Sequence, residues 1–189
     1  MLLIVGDSHA QACFQGFPGA IILAINSRTA WRVANHGIDD VPFDPKPDDT
    51  TCWLFGEVDA RCHIRRVADR DDHTVDEVCW VLAKRYVRRL SLYPGKHVVC
   101  SVVPPADVDL NPQYPTYGNI HQRVYDTRKF NGCVENRCLR AGVAFCDFHA
   151  AYATPGGWLD PALSDGNVHV ATERNGAARD ALTNVLGLL

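Results

Sequence analysis

The chain opens on Leu2-Leu3-Ile4-Val5, an uninterrupted apolar run cut off by Gly6-Asp7-Ser8. A strand with one wet face alternates apolar and polar residues. A run without alternation has to be covered on both faces, as in a parallel sheet held between two layers of helices. Comparable runs recur at 20–23, 52–55, 97–103 and 143–146. Between the third and fourth, Thr74 and Glu77 form a capping-box pair ahead of Val75, Val78, Cys79, Leu82, Tyr86 and Leu90, a helical spacing that ends at Pro94-Gly95. A second helix is predicted over 120–141. Ala177, Ala178, Ala181, Leu182, Val185, Leu186 and Leu189 predict a C-terminal amphipathic helix beginning near Thr172. Strands alternating with helices imply an α/β fold built on a five-stranded parallel sheet.

A length of 189 residues suits one domain, spanning 1–189, and 47% hydrophobic with 22% charged residues is ordinary globular composition. The net charge of −3 supplies no field for a phosphate backbone, so no nucleic-acid partner is expected. The densest basic stretch, Lys84-Arg85 with Arg88-Arg89, reads as the solvated face of a helix near its C-terminus. The eight cysteines are scattered without a CxxC pair, which argues against a metal site and for reduced core thiols. With no signal-like leader and no apolar stretch of membrane-spanning length, the expectation is a cytoplasmic protein without a membrane span. Residues 39–51 and 104–118 are rich in proline and read as loops at the carboxyl edge of the sheet, where open α/β folds bind ligands. Trp31, Trp53, Trp80 and Trp158 read as core or interface residues, with Trp158 placed to line a sugar site, and His73, His97, His121 and His149 as structural or surface groups.

Chemistry concentrates at the two ends of the chain. Ser8 falls between the first strand and a helix starting near His9-Ala10-Gln11, where its hydroxyl can stand exposed at the sheet edge and helix N–H groups favour developing negative charge. An N-cap role would also suit a serine there. Near the other end, Ser164-Asp165-Gly166-Asn167-Val168-His169 sets an acid beside a histidine just ahead of the last helix. A hydroxyl nucleophile needs a base of near-neutral pKa, and that base needs a partner to fix its tautomer. Asp165 and His169 supply both.

Gly6-Asp7-Ser8, Asn35-His36-Gly37, Gly56-Glu57-Val58-Asp59 and Asp165 with His169 fall in the order of the conserved blocks of the SGNH (GDSL-like) hydrolases, which this chain resembles over nearly its whole length. The resemblance implies a flavodoxin-like three-layer α/β/α fold, ester or related acyl substrates, and no cofactor or metal. It implies Ser8 as nucleophile, His169 as base, Asp165 as the orienting acid with another carboxylate such as Asp160 as the alternative, and an oxyanion hole from the backbone N–H groups of Ser8 and Gly37. Two departures stand out. Val58 occupies the place of the family's oxyanion-binding asparagine, and one extra residue separates Asp165 from His169. Glu57, Asp59, Arg61 and His63, clustered after the third strand, are expected to bind substrate or brace the site. The expected function is hydrolysis of a small-molecule or glycan ester, foremost a carbohydrate O-acyl ester. The alternatives are an O-acyltransferase and a catalytically decayed glycan-binding protein. Oligomeric state is left open.

Overall fold

The computed structural model describes residues 1–108 and 115–187, so part of the proline-rich stretch at 104–118, and Leu189, lie outside the described residues. Its elements alternate along the chain: β1 (Leu2–Gly6), α1 (Ser8–Phe14), β2 (Ala20–Ala24), α2 (Ala30–His36), β3 (Thr50–Leu54), α3 (Ile64–Asp71), α4 (Val75–Leu90), β4 (Lys96–Cys100), α5 (Ile120–Ala141), β5 (Ala144–Cys146) and α6 (Gly176–Leu186). The five strands form one all-parallel sheet in the order β2-β1-β3-β4-β5.

The missing alternation in the strands has its cause in the two cores. Successive side chains of a strand point to opposite faces. Leu3 and Val5 of β1, with Trp53 of β3 and Val99 of β4, enter a core closed by α2, α4 and α5. Their neighbours Ile4, Cys52, Leu54, Val98 and Cys100 enter a second core closed by α1 and α6. Both faces exclude water, which makes the molecule a three-layer α/β/α sandwich. Asn175 ties the outer helices of the second layer together by donating from Nδ2 to the carbonyls of Ala12 and Gln15.

The helix signals hold in detail. Both halves of the Thr74–Glu77 capping box are formed at the start of α4, and Asn119 with Gln122 makes a second box at the start of α5. At the C-terminus a single 3-10 turn, Thr172–Arg174, precedes α6 instead of a continuous helix from Thr172. The fourth strand is shorter than its apolar run. Beyond Cys100 the neighbouring strand ends at Cys146, and Asn131 takes over, accepting from Val102 N at 2.8 Å and donating to Val102 O at 2.9 Å. The 39–51 segment lies at the amino edge of the sheet, contrary to expectation. It follows α2, which carries the chain back across the sheet, and Asp49 there pairs with the Met1 amino group at 3.0 Å and accepts from Lys96 N.

Strand order fixes where a ligand can sit. The chain leaves β1 toward β2 on one side and returns to β3 on the other, and such a switch point opens a crevice at the carboxyl ends of the two central strands. The residue after β1 is Asp7, followed by Ser8; Phe55-Gly56-Glu57 follow β3.

Candidate active site

The turn after β1 is built by close approach. A Cβ on Gly6 would overlap the Leu54 carbonyl oxygen and the Ala10 methyl, so only glycine lets strand and helix meet here. Asp7 donates its N–H to Leu54 O at 3.1 Å and caps α1, its carboxylate accepting from His9 N at 2.9 Å. The cap is thus Asp7 and not Ser8. Ser8 is the first residue of α1, at the positive end of the helix, and its hydroxyl is left for other work.

That hydroxyl meets the C-terminal segment. Ser8 Oγ lies 2.8 Å from His169 Nε2, and His169 Nδ1 lies 3.1 Å from Asp165 Oδ2. The three predicted side chains therefore stand in one hydrogen-bonded chain, with Nε2 accepting from the serine and Nδ1–H donating to the carboxylate. The extra residue between acid and base is taken up in a tight hairpin. Ser164 and Val170 form an antiparallel bridge, Asp165 N donates to His169 O at 3.0 Å, and Gly166 turns the chain at φ 84°. Asn167 N donates to Asp165 Oδ1 at 2.8 Å, which fixes the carboxylate. Asp160, the other acid near this segment, accepts from Ala162 N in a turn of its own.

Burial, and then the neighbouring His9, hold the His169 imidazole below its ordinary value against the opposing pull of Asp165 and Glu57. His9 behaves in the opposite way. Its ring is buried, which on its own favours the neutral form. The charge and hydrogen bond of Asp7, the charge of Glu57 and the Val168 carbonyl together outweigh burial and leave the group pushed up to about 9.

The block after β3 divides its labour. Glu57 and Arg61, both 5% exposed, form a buried pair, with Arg61 Nε donating to Glu57 Oε1 at 2.6 Å. Asp59 is fully buried and accepts from Ala30 N at 2.6 Å and Trp31 N at 3.3 Å, so it holds the first two N–H groups of α2 beside the N-cap Thr29, which accepts from Arg32 N at 3.0 Å. His63 is the outward member, 38% exposed and 3.9 Å from Asp59. Asp59 through His63 wind as a π-helical turn, a rare form that recurs near functional sites and here lets Glu57, Asp59 and Arg61 all turn inward. A cavity of about 800 Å³ is lined by Asp59, His63, Trp31 and Trp80 together with residues of α3 and α4, and neither Ser8 nor His169 lines it. Both tryptophans are exposed, unlike the fully buried Trp53, so of the four only Trp53 is wholly core.

Gly37 does not reach this site. Its N–H is spent on Val33 O at 2.8 Å, closing the last turn of α2, and a Cβ there would meet Arg89 and Tyr93 at the end of α4. The oxyanion assignment to Gly37 is therefore corrected: α2 removes it from the carboxyl edge. The turn after β2 begins beside Gly6, two residues before Ser8. Ile25 N donates to Gly6 O at 2.7 Å, Arg28 N closes the turn on Ile25 O at 3.1 Å, and Ser27 within it adopts φ 61°. No glycine marks that turn, so residue type gave no signal for it. His9 was also missed, although its place next to Ser8 was in view.

Structures already solved share this arrangement of elements. A carbohydrate acetylesterase from Sinorhizobium meliloti superposes with a TM-score of 0.62 over 100% of this chain and 99% of its own, at 15% identity. A GDSL-like lipase from Bacteroides thetaiotaomicron gives 0.60 over 99% of this chain and 85% of its own, at 13% identity. The fold is the SGNH, GDSL-like esterase fold. An acetylxylan esterase from Geobacillus stearothermophilus shares the SGNH fold as well, with a TM-score of 0.62 over 98% of this chain and 93% of its own, at 14% identity. No family model matches the sequence. No curated protein matches it.

Proposed function

We propose that the protein is a serine ester hydrolase acting on O-acyl groups of a carbohydrate. The observation that carries this reading is the contact of Ser8 Oγ with His169 Nε2 at 2.8 Å, made between residues 161 apart in sequence and backed by Asp165. Ser8 attacks the ester carbonyl while His169, neutral at the outset, takes its proton. The resulting imidazolium, stabilised by Asp165, returns the proton to the leaving alcohol. Water, deprotonated by the same ring, then attacks the acyl-enzyme and releases the acid.

The tetrahedral oxyanion is held by the N–H of Ser8 at the start of α1 and by backbone N–H groups of the Asn26–Ser27 turn, in place of Gly37 and of the asparagine that Val58 replaces. The Glu57–Arg61 pair braces the floor of the site. A carbohydrate substrate is supported by the acetylesterases that share the fold. Eight thiols without disulfides suit a reducing, cytoplasmic setting.

A fluorophosphonate probe followed by peptide mass spectrometry, with p-nitrophenyl acetate turnover alongside, tests the reading. Wild type should carry the adduct on Ser8, and Ser8→Ala and His169→Ala should each lower kcat/KM by roughly a thousandfold or more. An unmodified Ser8 with no wild-type turnover above background would favour the glycan-binding alternative, and turnover unchanged in both variants would put the nucleophile elsewhere.

A further inference from the structure

His9 follows Ser8 directly, yet no step above uses it. Its side chain is 3% exposed and stands between two acceptors, with Nδ1 3.0 Å from Asp7 Oδ1 and Nε2 3.1 Å from the Val168 carbonyl oxygen. A carbonyl oxygen has no proton to give, and Asp7 Oδ1 already accepts the His9 backbone N–H. With Asp7 as the acceptor-only carboxylate that caps α1, both contacts are hydrogen bonds only when both ring nitrogens carry protons. A neutral ring would set a nitrogen lone pair against an oxygen lone pair in a place water does not reach, and an unmet buried polar pair is costly.

The position of this cation matters twice. Val168 immediately precedes His169, so the bond from His9 ties the hairpin that bears the base to the turn that bears the nucleophile, across 159 residues of sequence. The His9 and His169 rings also lie 4.6 Å apart, centroid to centroid, at 42°. A positive charge at that separation opposes a second one on His169. The other charges facing the two rings are Asp7 at the start of α1, Glu57 after β3 and Asp165 in the hairpin, all of which pull the other way.

We propose that His9 is a permanently protonated positioning residue, which clamps the His169 hairpin to the nucleophile turn through Val168 and keeps the His169 ring neutral and able to accept a proton. The second half of this role rests on the reading of Ser8 and His169 as nucleophile and base. The value of about 9 reached by His9 agrees with the geometry.

The test has one arm that needs no substrate. In long-range proton–nitrogen spectra of the nitrogen-15-labelled wild type, His9 should show two protonated ring nitrogens from about pH 5.5 to about pH 8, a range over which an ordinary histidine loses its charge. A neutral His9 at pH 7 overturns the proposal. In His9→Gln, the titration midpoint of His169 and the acid limb of kcat/KM should both move to higher pH, with kcat/KM at pH 7 down roughly tenfold to a hundredfold. A purely structural role would lower activity without moving the limb, so an unshifted His169 in a folded variant also overturns it. If the variant does not fold by circular dichroism, the wild-type spectra decide. If the wild type hydrolyses no ester, the reading of Ser8 fails while the spectra still judge His9.

Discussion

In the proposed reading His169 is a general base, which works only while it is uncharged, so its behaviour decides over which pH range the Ser8 chemistry would run. Burial and the His9 cation favour its neutral form; Asp165 favours the charged form, but the carboxylate is 39% exposed and water screens its pull. The folded-state pKa therefore lies below the ordinary histidine value of about 6.5. Activity should be full at and above that pH and fall as pH drops through the lowered pKa. A pH profile of kcat/KM checks this, and an acid limb centred above about 6.5 contradicts it. At this scale the sequence was readable because serine, histidine and aspartate carry their chemistry in their own side chains, and Asp165 and His169 sit close enough to be paired by eye. The positive φ of Ser27 was not readable, since a backbone conformation of this kind leaves no mark in a residue type other than glycine.

Helix α2 shows what an element adds. Its start is held by Asp59, a buried carboxylate from the far side of the sheet crevice that accepts from Ala30 N and Trp31 N. Asp59→Ala removes both bonds and the negative charge at the positive end of the helix. It should cost about 1–2 kcal/mol, read as a lower urea midpoint with an unchanged slope. A midpoint equal to wild type would show that α2 needs no such cap. The same helix explains the error over Gly37. Matched by residue type, Asn35-His36-Gly37 resembled the family's second block. Seven helical residues carry it from the carboxyl edge, where Asp59 holds Ala30, to the far end of the helix beside Arg89 and Tyr93. The capping boxes of α4 and α5 were legible because a cap is a local bond between residues three apart. Asp59 caps a helix 29 residues away, and spacing holds no trace of that.

At the scale of the whole molecule, the two cores flanking the sheet also account for the cysteines. Seven of the eight are buried and Cys133 is partly so. Burial raises the thiols of Cys13, Cys79, Cys100 and Cys138 well above their ordinary range and that of Cys133 less, the nearby Lys129 opposing it. Since the thiolate is the reactive form, iodoacetamide on the native protein should label Cys133 first and the remaining seven only after unfolding, as peptide mass spectrometry can follow. Rapid native labelling of Cys13 or Cys100 would mean that the second core is open to solvent.

The sequence by itself determined the layering, the places of the five strands and the choice of Ser8, Asp165 and His169 as candidates, because apolar runs, helix caps and side-chain chemistry are local properties that each residue carries along the chain. Only the tertiary structure decided that Gly37 lies at the far end of α2, that Asp59 holds the first N–H groups of that helix, that Glu57 and Arg61 form a buried pair, and that His9 lies between Asp7 and Val168. Those facts depend on strand order and on segments up to 163 residues apart meeting at one sheet edge and the helices behind it. No spacing in the chain encodes such a meeting, because it is set by how two helix layers close over a sheet.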